Sequence, residues 1–464
     1  MKLVLGNGLV NLSWEYMLSF SILLYFIFTQ LIFVFEDHSL AKNLKVIPSE
    51  VINALFDNFN KNLNFDKYAY VQYATDFDYL NLAIINFIVL RRSSTKIPNL
   101  VVLFNRALQE DKNRFDGLRD LSLRYSVTLK PIPIIENVNA ESPTWSKSFT
   151  KFHIFNEVKY DRIVYFDADS MLLHTQWNDN SSIVNNESNV PENLDELFTI
   201  PEIIDIALPQ AYWLTKHTKA SGKIKAPDGK GYQDEITALI NEISKSVNDS
   251  LVFEKLPSLL VQSQKSNHRN NFFATHVMVV KPSNEIFNEL KKYVHNPWLW
   301  SLHKRHALRN KSDYDMEVLN KFIDNVLQEN ENFKVGILPH KVYGVLTGEF
   351  RELSHESFVS EAQFLPFITG ELNEQWRPIE IIRNIKLIHF SDSPIPKPWE
   401  GMNNFHFYNK FRIYCHDAGF DADLFNSLFP TSWKPRLTTD CDSVNIWNWI
   451  MAEYQKLHNE LWMV

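Results

Sequence analysis

Three shortages narrow the classes of protein to which this chain can belong. It has no excess of positive charge: the formal net charge is −8, so it offers no basic footprint for a nucleic-acid partner. It has only 12 glycines against 34 phenylalanines, which excludes a fibrous or disordered chain. It has only two cysteines, Cys415 and Cys441, which are either buried free thiols or, in a lumenal protein, one disulfide that closes the C-terminal segment.

What remains is the composition of a globular protein. An apolar fraction of 45% beside a charged fraction of 22% is sufficient to bury a substantial core. The acidic balance restricts any site for a phosphorylated ligand, because such a site needs a local positive charge. A bound cation is the usual source of that charge.

Residues 16–35 form an apolar run that no charged residue interrupts. A helix of this length spans about 30 Å, the thickness of the hydrocarbon core of a bilayer. Glu36 and Asp37 follow the run, with no small-residue cleavage site of the kind that ends a signal peptide. The sequence therefore predicts a transmembrane signal anchor at 16–35, preceded by a cytoplasmic tail at 1–15.

The rest of the chain has the features expected of a lumenal body. The positive-inside rule slightly favours a cytoplasmic amino terminus. Four glycosylation sequons lie beyond the anchor, at Asn180, Asn186, Asn248 and Asn310. With a polar stem at 36–66 and a body at 67–464, this is the layout of single-pass type II membrane proteins of the Golgi, which is the predicted location.

Short apolar runs alternate with helical patterns in the first part of the body. Residues 100–104 (LVVLF) and 162–166 (RIVYF) are typical of buried strands, and residues 80–90 are typical of a helix. Such alternation indicates βαβ units, so the predicted fold class is α/β with a mostly parallel central sheet.

Asp167 and Asp169 directly follow the strand pattern at 162–166, and this distinguishes them from the other four Asp-x-Asp pairs of the chain. Residues two apart lie on one side of an extended chain, so both carboxylates can converge at the carboxyl end of the strand. Two adjacent carboxylates favour a cation between them, and oxygen ligands suit Mn²⁺ or Mg²⁺. The alternative is a solvated turn.

A second short strand pattern, 386–390, contains His389 near its end. An imidazole at that place can complete a carboxylate site for Mn²⁺. The alternative is a hydrogen-bonded core histidine. Lys397 follows between two prolines and can meet a diphosphate as a point charge.

Taken in order, five segments resemble the motifs of the family 8 glycosyltransferases, the glycogenin-like group. They are 74–79, 150–153, 165–169, 315–320 and 389–399. Two departures affect the donor site: Ala274-Thr275-His276 stands where the family has Asn-(Ser/Ala)-Gly, and Met316 stands in place of a glutamine.

The resemblance implies a single GT-A (Rossmann-like) nucleotide-sugar-binding domain and a retaining transfer from a UDP-sugar. It assigns Mn²⁺ or Mg²⁺ to Asp167, Asp169 and His389. By the same resemblance, the catalytic residues are Asp315 and Lys151. Contacts to the nucleotide sugar fall to Ala74, Thr75, Tyr79, Ala168 and Lys397.

The anchor and the two departures are similar to those of the yeast Golgi α-N-acetylglucosaminyltransferases. That similarity implies UDP-N-acetylglucosamine as donor and a mannose-containing glycan as acceptor. Three alternatives stay open: a transferase for glucose, galactose or xylose, a non-catalytic lumenal lectin or scaffold of the same fold, and a glycosidase. A glycosidase needs two carboxyl groups flanking its substrate, and the sequence gives no reason for such a pair.

Overall fold

The structure is a computed structural model of the chain. It describes residues 2–5, 8–11, 46–136, 145–173, 193–211, 229–246, 260–261, 273–295, 313–330, 332–350, 378–390, 397–399, 412–429, 435–438 and 440–462. The predicted anchor at 16–35 and all four sequons lie outside these residues. None of the helices in the described ranges combines the length and apolar character needed to cross a bilayer.

The strands belong to four sheets in the described part of the chain. Their bounds are β1 Lys2–Leu5, β2 Gly8–Asn11, β3 Tyr68–Ala74, β4 Asn99–Asn105, β5 Val127–Ile132, β6 Arg162–Phe166, β7 Ser170–Leu172, β8 Ile206–Leu208, β9 Leu260–Val261, β10 Val277–Val280, β11 Val335–Ile337, β12 Val345–Leu346, β13 Leu387–His389, β14 Ile413–Cys415 and β15 Arg436–Thr438. The main sheet has the order β5-β4-β3-β6-β10-β8-β11-β9.

The α-helices lie between these strands and at the carboxyl end. Their bounds are α1 Ser49–Phe59, α2 Phe77–Arg92, α3 Lys112–Arg124, α4 Gly229–Lys245, α5 Asn284–His295, α6 Asp315–Glu329, α7 His340–Tyr343, α8 Pro378–Ile382, α9 Ala422–Leu428 and α10 Cys441–Trp462. A 3₁₀ helix, Ser148–Asn156, precedes β6.

The main sheet is mostly parallel. Strands β5, β4, β3 and β6 pair in parallel, and β11 pairs in parallel with β8. Strand β10 is antiparallel to both β6 and β8, and β9 is antiparallel to β11. The predicted α/β class and mostly parallel sheet are therefore confirmed.

Both faces of the sheet are buried, which explains why its strands are continuously apolar. In β4, Leu100, Val102 and Phe104 face one core, while Val101 and Leu103 face the other. Helices α1, α2, α3 and α10 cover the first face. The second face is covered by α5, α6 and the 3₁₀ helix before β6.

The assignment of residues 36–66 to a stem needs correction from residue 46 onwards. Val51, Ile52 and Leu55 of α1 are fully buried in the first core. The backbone N–H of Ile47 donates to the carbonyl of Ile337 in β11, at 2.8 Å. The polar residues of this segment lie on the outer face of an amphipathic helix. The folded body therefore begins before residue 67.

Two smaller sheets complete the body. Strands β12, β13 and β7 form one, and its register places His389 opposite Ser170. Strands β14 and β15 form the other, and a disulfide between Cys415 and Cys441 joins it to the start of α10. Of the two states left open for the cysteines, the structure shows the disulfide.

The buried position of α1 gives a stability prediction. We expect Leu55→Ala to lower the free energy of unfolding by about 2–5 kcal/mol, because it removes buried methyl groups and leaves a cavity. The matched control is Leu123→Ala on α3, where the leucine is 67% exposed and the same truncation should cost little. The measurement is denaturant-induced unfolding of both variants, and equal midpoints would restore the stem assignment.

Candidate active site

The site forms where β6 ends. Asp167 follows the last strand residue, Phe166, and Asp169 lies in the turn that leads into β7. The N–H of Asp167 donates to the carbonyl of His276 at 2.8 Å. The Asn86 side chain donates to the carbonyl of Ala168 at 3.0 Å. It is therefore this anchored turn, and not the alternation of an extended strand, that brings the two carboxylates together.

His389 reaches the same point from β13. Its Nδ1 lies 3.5 Å from a carboxylate oxygen of Asp169, and its Nε2 lies 3.9 Å from one of Asp167. One ligand atom from each of Asp167, Asp169 and His389 can be chosen so that all three lie within 4.8 Å of one another. The structure thus brings together the three residues that the sequence predicts as metal ligands.

The imidazole of His389 is in the state that a metal ligand requires. Its Nδ1 lies 3.2 Å from the backbone carbonyl of Asp169, a distance at which an Nδ1–H can donate to that oxygen. That tautomer leaves the Nε2 lone pair on the side of Asp167. Burial lowers the pKa of His389 to about 4, so the ring is neutral at physiological pH and needs no deprotonation before it binds a cation.

Two lysines compensate the carboxylates. Nζ of Lys151, which is 4% exposed, lies 2.6 Å from Asp315 and 3.2 Å from Asp167. Nζ of Lys397 lies 2.8 Å from Asp169. Three carboxylates against two ammonium groups leave one formal negative charge in a mostly buried site. A cation is therefore compatible with the site.

The pKa values of the carboxylates show the same imbalance. Burial raises the pKa of Asp167 above its usual range; Asp169 and Asp315 add to the rise, and Lys151 opposes it. Burial also acts to raise the pKa of Asp169, but Lys397, His389 and Lys151 together outweigh it and the pKa falls. Asp167 is therefore the carboxylate whose charge is least compensated. Two carboxylates and one neutral imidazole fit Mn²⁺ or Mg²⁺ as a donor set.

Asp315 lies at the first turn of α6 and faces the site. Its carboxylate accepts from Lys151 and from the hydroxyl of Thr275, the latter at 2.9 Å. Its backbone N–H donates to the hydroxyl of Ser148 at 3.3 Å. The two residues predicted as catalytic, Asp315 and Lys151, are thus in direct contact with each other, and Lys151 also contacts the carboxylate of Asp167.

The predicted nucleotide-sugar residues lie along the same edge of the sheet. Ala74 ends β3, which is parallel to β6, and Thr75 donates to Asp76 at 3.1 Å. The ring of Tyr79 meets Trp399 edge-on, with centroids 6.2 Å apart, and Nζ of Lys397 lies 5.9 Å from the Trp399 ring. Tyr79 and Lys397 are therefore neighbours through one shared tryptophan.

Two contacts at the site were not predicted from the sequence. The ring of His276 stacks on that of His389, with centroids 4.8 Å apart and planes 2° from parallel. The hydroxyl of Tyr165 donates to the carboxylate of Asp167. The position of His276 follows from strand pairing. Strand β10 runs antiparallel to β6 with Val277 opposite Phe166, so the residue before β10 lies beside the residue after β6. Sequence patterns do not reveal such a pairing.

Comparison with known proteins identifies the family. No family model matches the chain. Glucose N-acetyltransferase 1 from Candida albicans is 45% identical to it, over 97% of each chain. The chain belongs to the glucose N-acetyltransferase 1 family. A second member, glucose N-acetyltransferase 1-B from Kluyveromyces lactis, is 27% identical over 77% of this chain and 79% of its own length. The predicted enzyme class is confirmed: the chain is a glycosyltransferase, which excludes the lectin and glycosidase alternatives.

Solved structures resemble the chain only distantly. The bifunctional glycosyltransferase WbbM aligns with it at 16% identity and a TM-score of 0.40, over 73% of this chain and 48% of its own. An active-site mutant of LgtC aligns at 11% identity and a TM-score of 0.36, over 71% of this chain and 89% of its own.

The stacked histidines give a prediction about metal binding. We expect His276→Ala to weaken Mn²⁺ binding about ten-fold or more, because a ligand ring held in place by its neighbours binds more tightly than one that can rotate. The measurement is the affinity for Mn²⁺ by titration calorimetry. His153→Ala is the control, since His153 is also buried but packs on Phe287 in the other core. Equal affinities of wild type and His276→Ala would remove this orienting role.

Proposed function

We propose that this glycosyltransferase transfers N-acetylglucosamine from UDP-N-acetylglucosamine to a mannose-containing glycan. A divalent cation, Mn²⁺ or Mg²⁺, would be held by Asp167, Asp169 and His389. The observation that carries the proposal is the convergence of these three ligands between two lysines, at the end of the sheet where α/β proteins bind nucleotides. The resemblance to the family 8 glycosyltransferases implies the GT-A arrangement and retention of configuration, and we include both in the proposal.

The residues divide the site into a phosphate end and a sugar end. When bound, the cation supplies positive charge that stabilises the departing diphosphate. Lys397 contacts Asp169, and its ammonium group can also donate to a phosphate oxygen at that end. Asp315 and Lys151 lie at the other end. The Asp315 carboxylate can accept from donor hydroxyls and stabilise positive charge on the sugar, and Lys151 keeps it oriented.

Two observations support N-acetylglucosamine as the donor sugar. They are the residues that precede β10 and the name of the relatives, which contains both glucose and N-acetyl. Strand β10 begins at Val277, so residues 274–276 do not follow strand alternation. Ala274 is fully buried, whereas Thr275 contacts Asp315 and His276 contacts His389. Thr275 and His276 are therefore polar groups of the site that a donor amide can meet, and Ala274 adjoins them in the chain. A UDP-hexose is the rival donor.

We also propose a Golgi membrane location, with the catalytic body in the lumen. The support comes from the uncharged run at 16–35 and from the four sequons beyond it. The disulfide between Cys415 and Cys441 fits an oxidising compartment of this kind.

The metal centre gives the direct test of the mechanism. We expect Asp167→Ala, Asp169→Ala and His389→Ala each to abolish Mn²⁺-dependent release of UDP, because each removes one of three ligands. Thermal unfolding should show that the variants remain folded. Asp421→Ala is a matched control from another Asp-x-Asp pair, where the carboxylate caps the exposed helix α9. Full activity of any ligand variant would remove that residue from the metal site.

The donor is tested by competition. With oligomannose as the acceptor, we expect UDP-N-acetylglucosamine to be used in preference to UDP-glucose and UDP-galactose. A site whose polar groups are placed for an amide rejects a donor that leaves them unpaired. The measurement is the ratio of kcat/KM for the three donors. Preference for a plain hexose would overturn the donor assignment and leave the metal centre intact.

A further inference from the structure

We propose that Trp145 and Tyr314 form a stacking platform for a pyranose ring of the acceptor glycan. This inference rests on the proposed function, because it assigns the acceptor to one side of the same site. The platform consists of these two aromatic rings only. Neither residue belongs to the metal centre or to the predicted nucleotide contacts.

The two rings make a corner at the surface. Their centroids lie 5.3 Å apart and their planes are 69° from parallel, so the edge of one ring meets the face of the other. Trp145 is 48% exposed, although a tryptophan is normally largely buried. Tyr314 is half-buried. An exposed aromatic face beside a polar site is a surface suited to ligand contact, because it is apolar, rigid and costs little conformational entropy when it binds.

Both residues are linked to Asp315, at the sugar end of the site. Tyr314 directly precedes Asp315, and its own N–H is fixed at 2.9 Å by the side chain of Glu317. Trp145 lies three residues before Ser148, whose hydroxyl accepts from the N–H of Asp315. Tyr314 is therefore adjacent to Asp315 in the chain, and Trp145 is linked to it through a short segment and one hydrogen bond.

The position excludes the nucleoside as the occupant of this platform. Lys397 contacts Asp169, whereas Lys151 contacts both Asp167 and Asp315. In a nucleotide sugar the diphosphate separates the nucleoside from the sugar. A diphosphate at Lys397 and a sugar at Asp315 place the nucleoside towards Tyr79 and Trp399, whereas Trp145 packs on Tyr314 next to Asp315. The molecule that lies beyond the donor sugar is the acceptor.

The chemistry of the acceptor matches the platform. One face of a pyranose ring carries several C–H groups, which pack on an aromatic face, while its hydroxyls remain at the rim. The carboxylate of Glu136, which accepts from Ser146 at 3.4 Å beside Trp145, is an acceptor for such hydroxyls. The platform thus provides an apolar face with a polar edge, as sugar rings require.

The test separates acceptor from donor affinity in the full-length enzyme. With UDP-N-acetylglucosamine as donor and an oligomannose as acceptor, we expect Trp145→Ala to raise the KM for the acceptor about ten-fold, the size of a lost aromatic contact. The KM for the donor should stay within two-fold of wild type (roughly 0.4 kcal/mol). Trp145→Phe keeps a ring and should restore most of the acceptor affinity. Leu123→Ala, which removes exposed apolar surface on α3, is the matched control and should change neither KM.

Three outcomes would overturn the platform: an unchanged acceptor KM in Trp145→Ala, a rise in the donor KM alone, or equal rescue by Trp145→Leu, which restores apolar bulk without a ring. If the alanine variant does not fold, the same test is made by comparing the acceptor KM of Trp145→Leu with that of Trp145→Phe. If the wild-type enzyme prefers a different UDP-sugar and Trp145→Ala still raises the KM for the acceptor, the proposed donor is wrong and the platform stands. The two failures are therefore distinguishable.

Discussion

The site is organised around a charge problem, namely how Asp167, Asp169 and Asp315 can coexist in a space that is almost closed to water. Each carboxylate contacts an ammonium group, and Lys151 is shared by two of them. Removing one partner from such a buried group leaves an uncompensated charge, which costs far more than an exposed ion pair contributes. The arrangement is therefore sensitive to the position of every member. The backbone around it is held by hydrogen bonds from several elements.

The directions of the strands explain why these groups meet. Parallel β3 and β6 end at one edge of the sheet, and antiparallel β10 begins at that edge. Residues that follow β6 and residues that precede β10 therefore share a small volume, as the hydrogen bond from Asp167 to His276 shows. The small sheet of β12, β13 and β7 then brings His389 to the turn after β6. Each of these steps depends on backbone pairing, and the side chains follow from it.

The sequence could predict those parts of the site that have a local signal. An apolar run followed at once by Asp167 and Asp169 marks a strand end, and His389 has the same kind of context, so these residues could be predicted. The partnership of Lys151 with Asp315 joins residues far apart in the chain, and no period or spacing encodes it. For the stacking of His276 on His389, the antiparallel pairing of β10 with β6 must already be known. The segment of helix α1 has the polar composition of a stem because its outer face is polar, and a polar face is equally expected of a helix on the surface of a core.

The pairing of β13 with β7 also bears on the stability of the folded chain. His389 and Asp169 are neighbours in space but 220 residues apart in sequence. Any ion bound between them closes a loop that contains nearly half of the chain. Such an ion would bind the folded chain and not the unfolded one, so it would stabilise the contact between the first strands of the sheet and the C-terminal part by mass action. The supply of metal would then affect the stability of the folded enzyme as well as its chemistry.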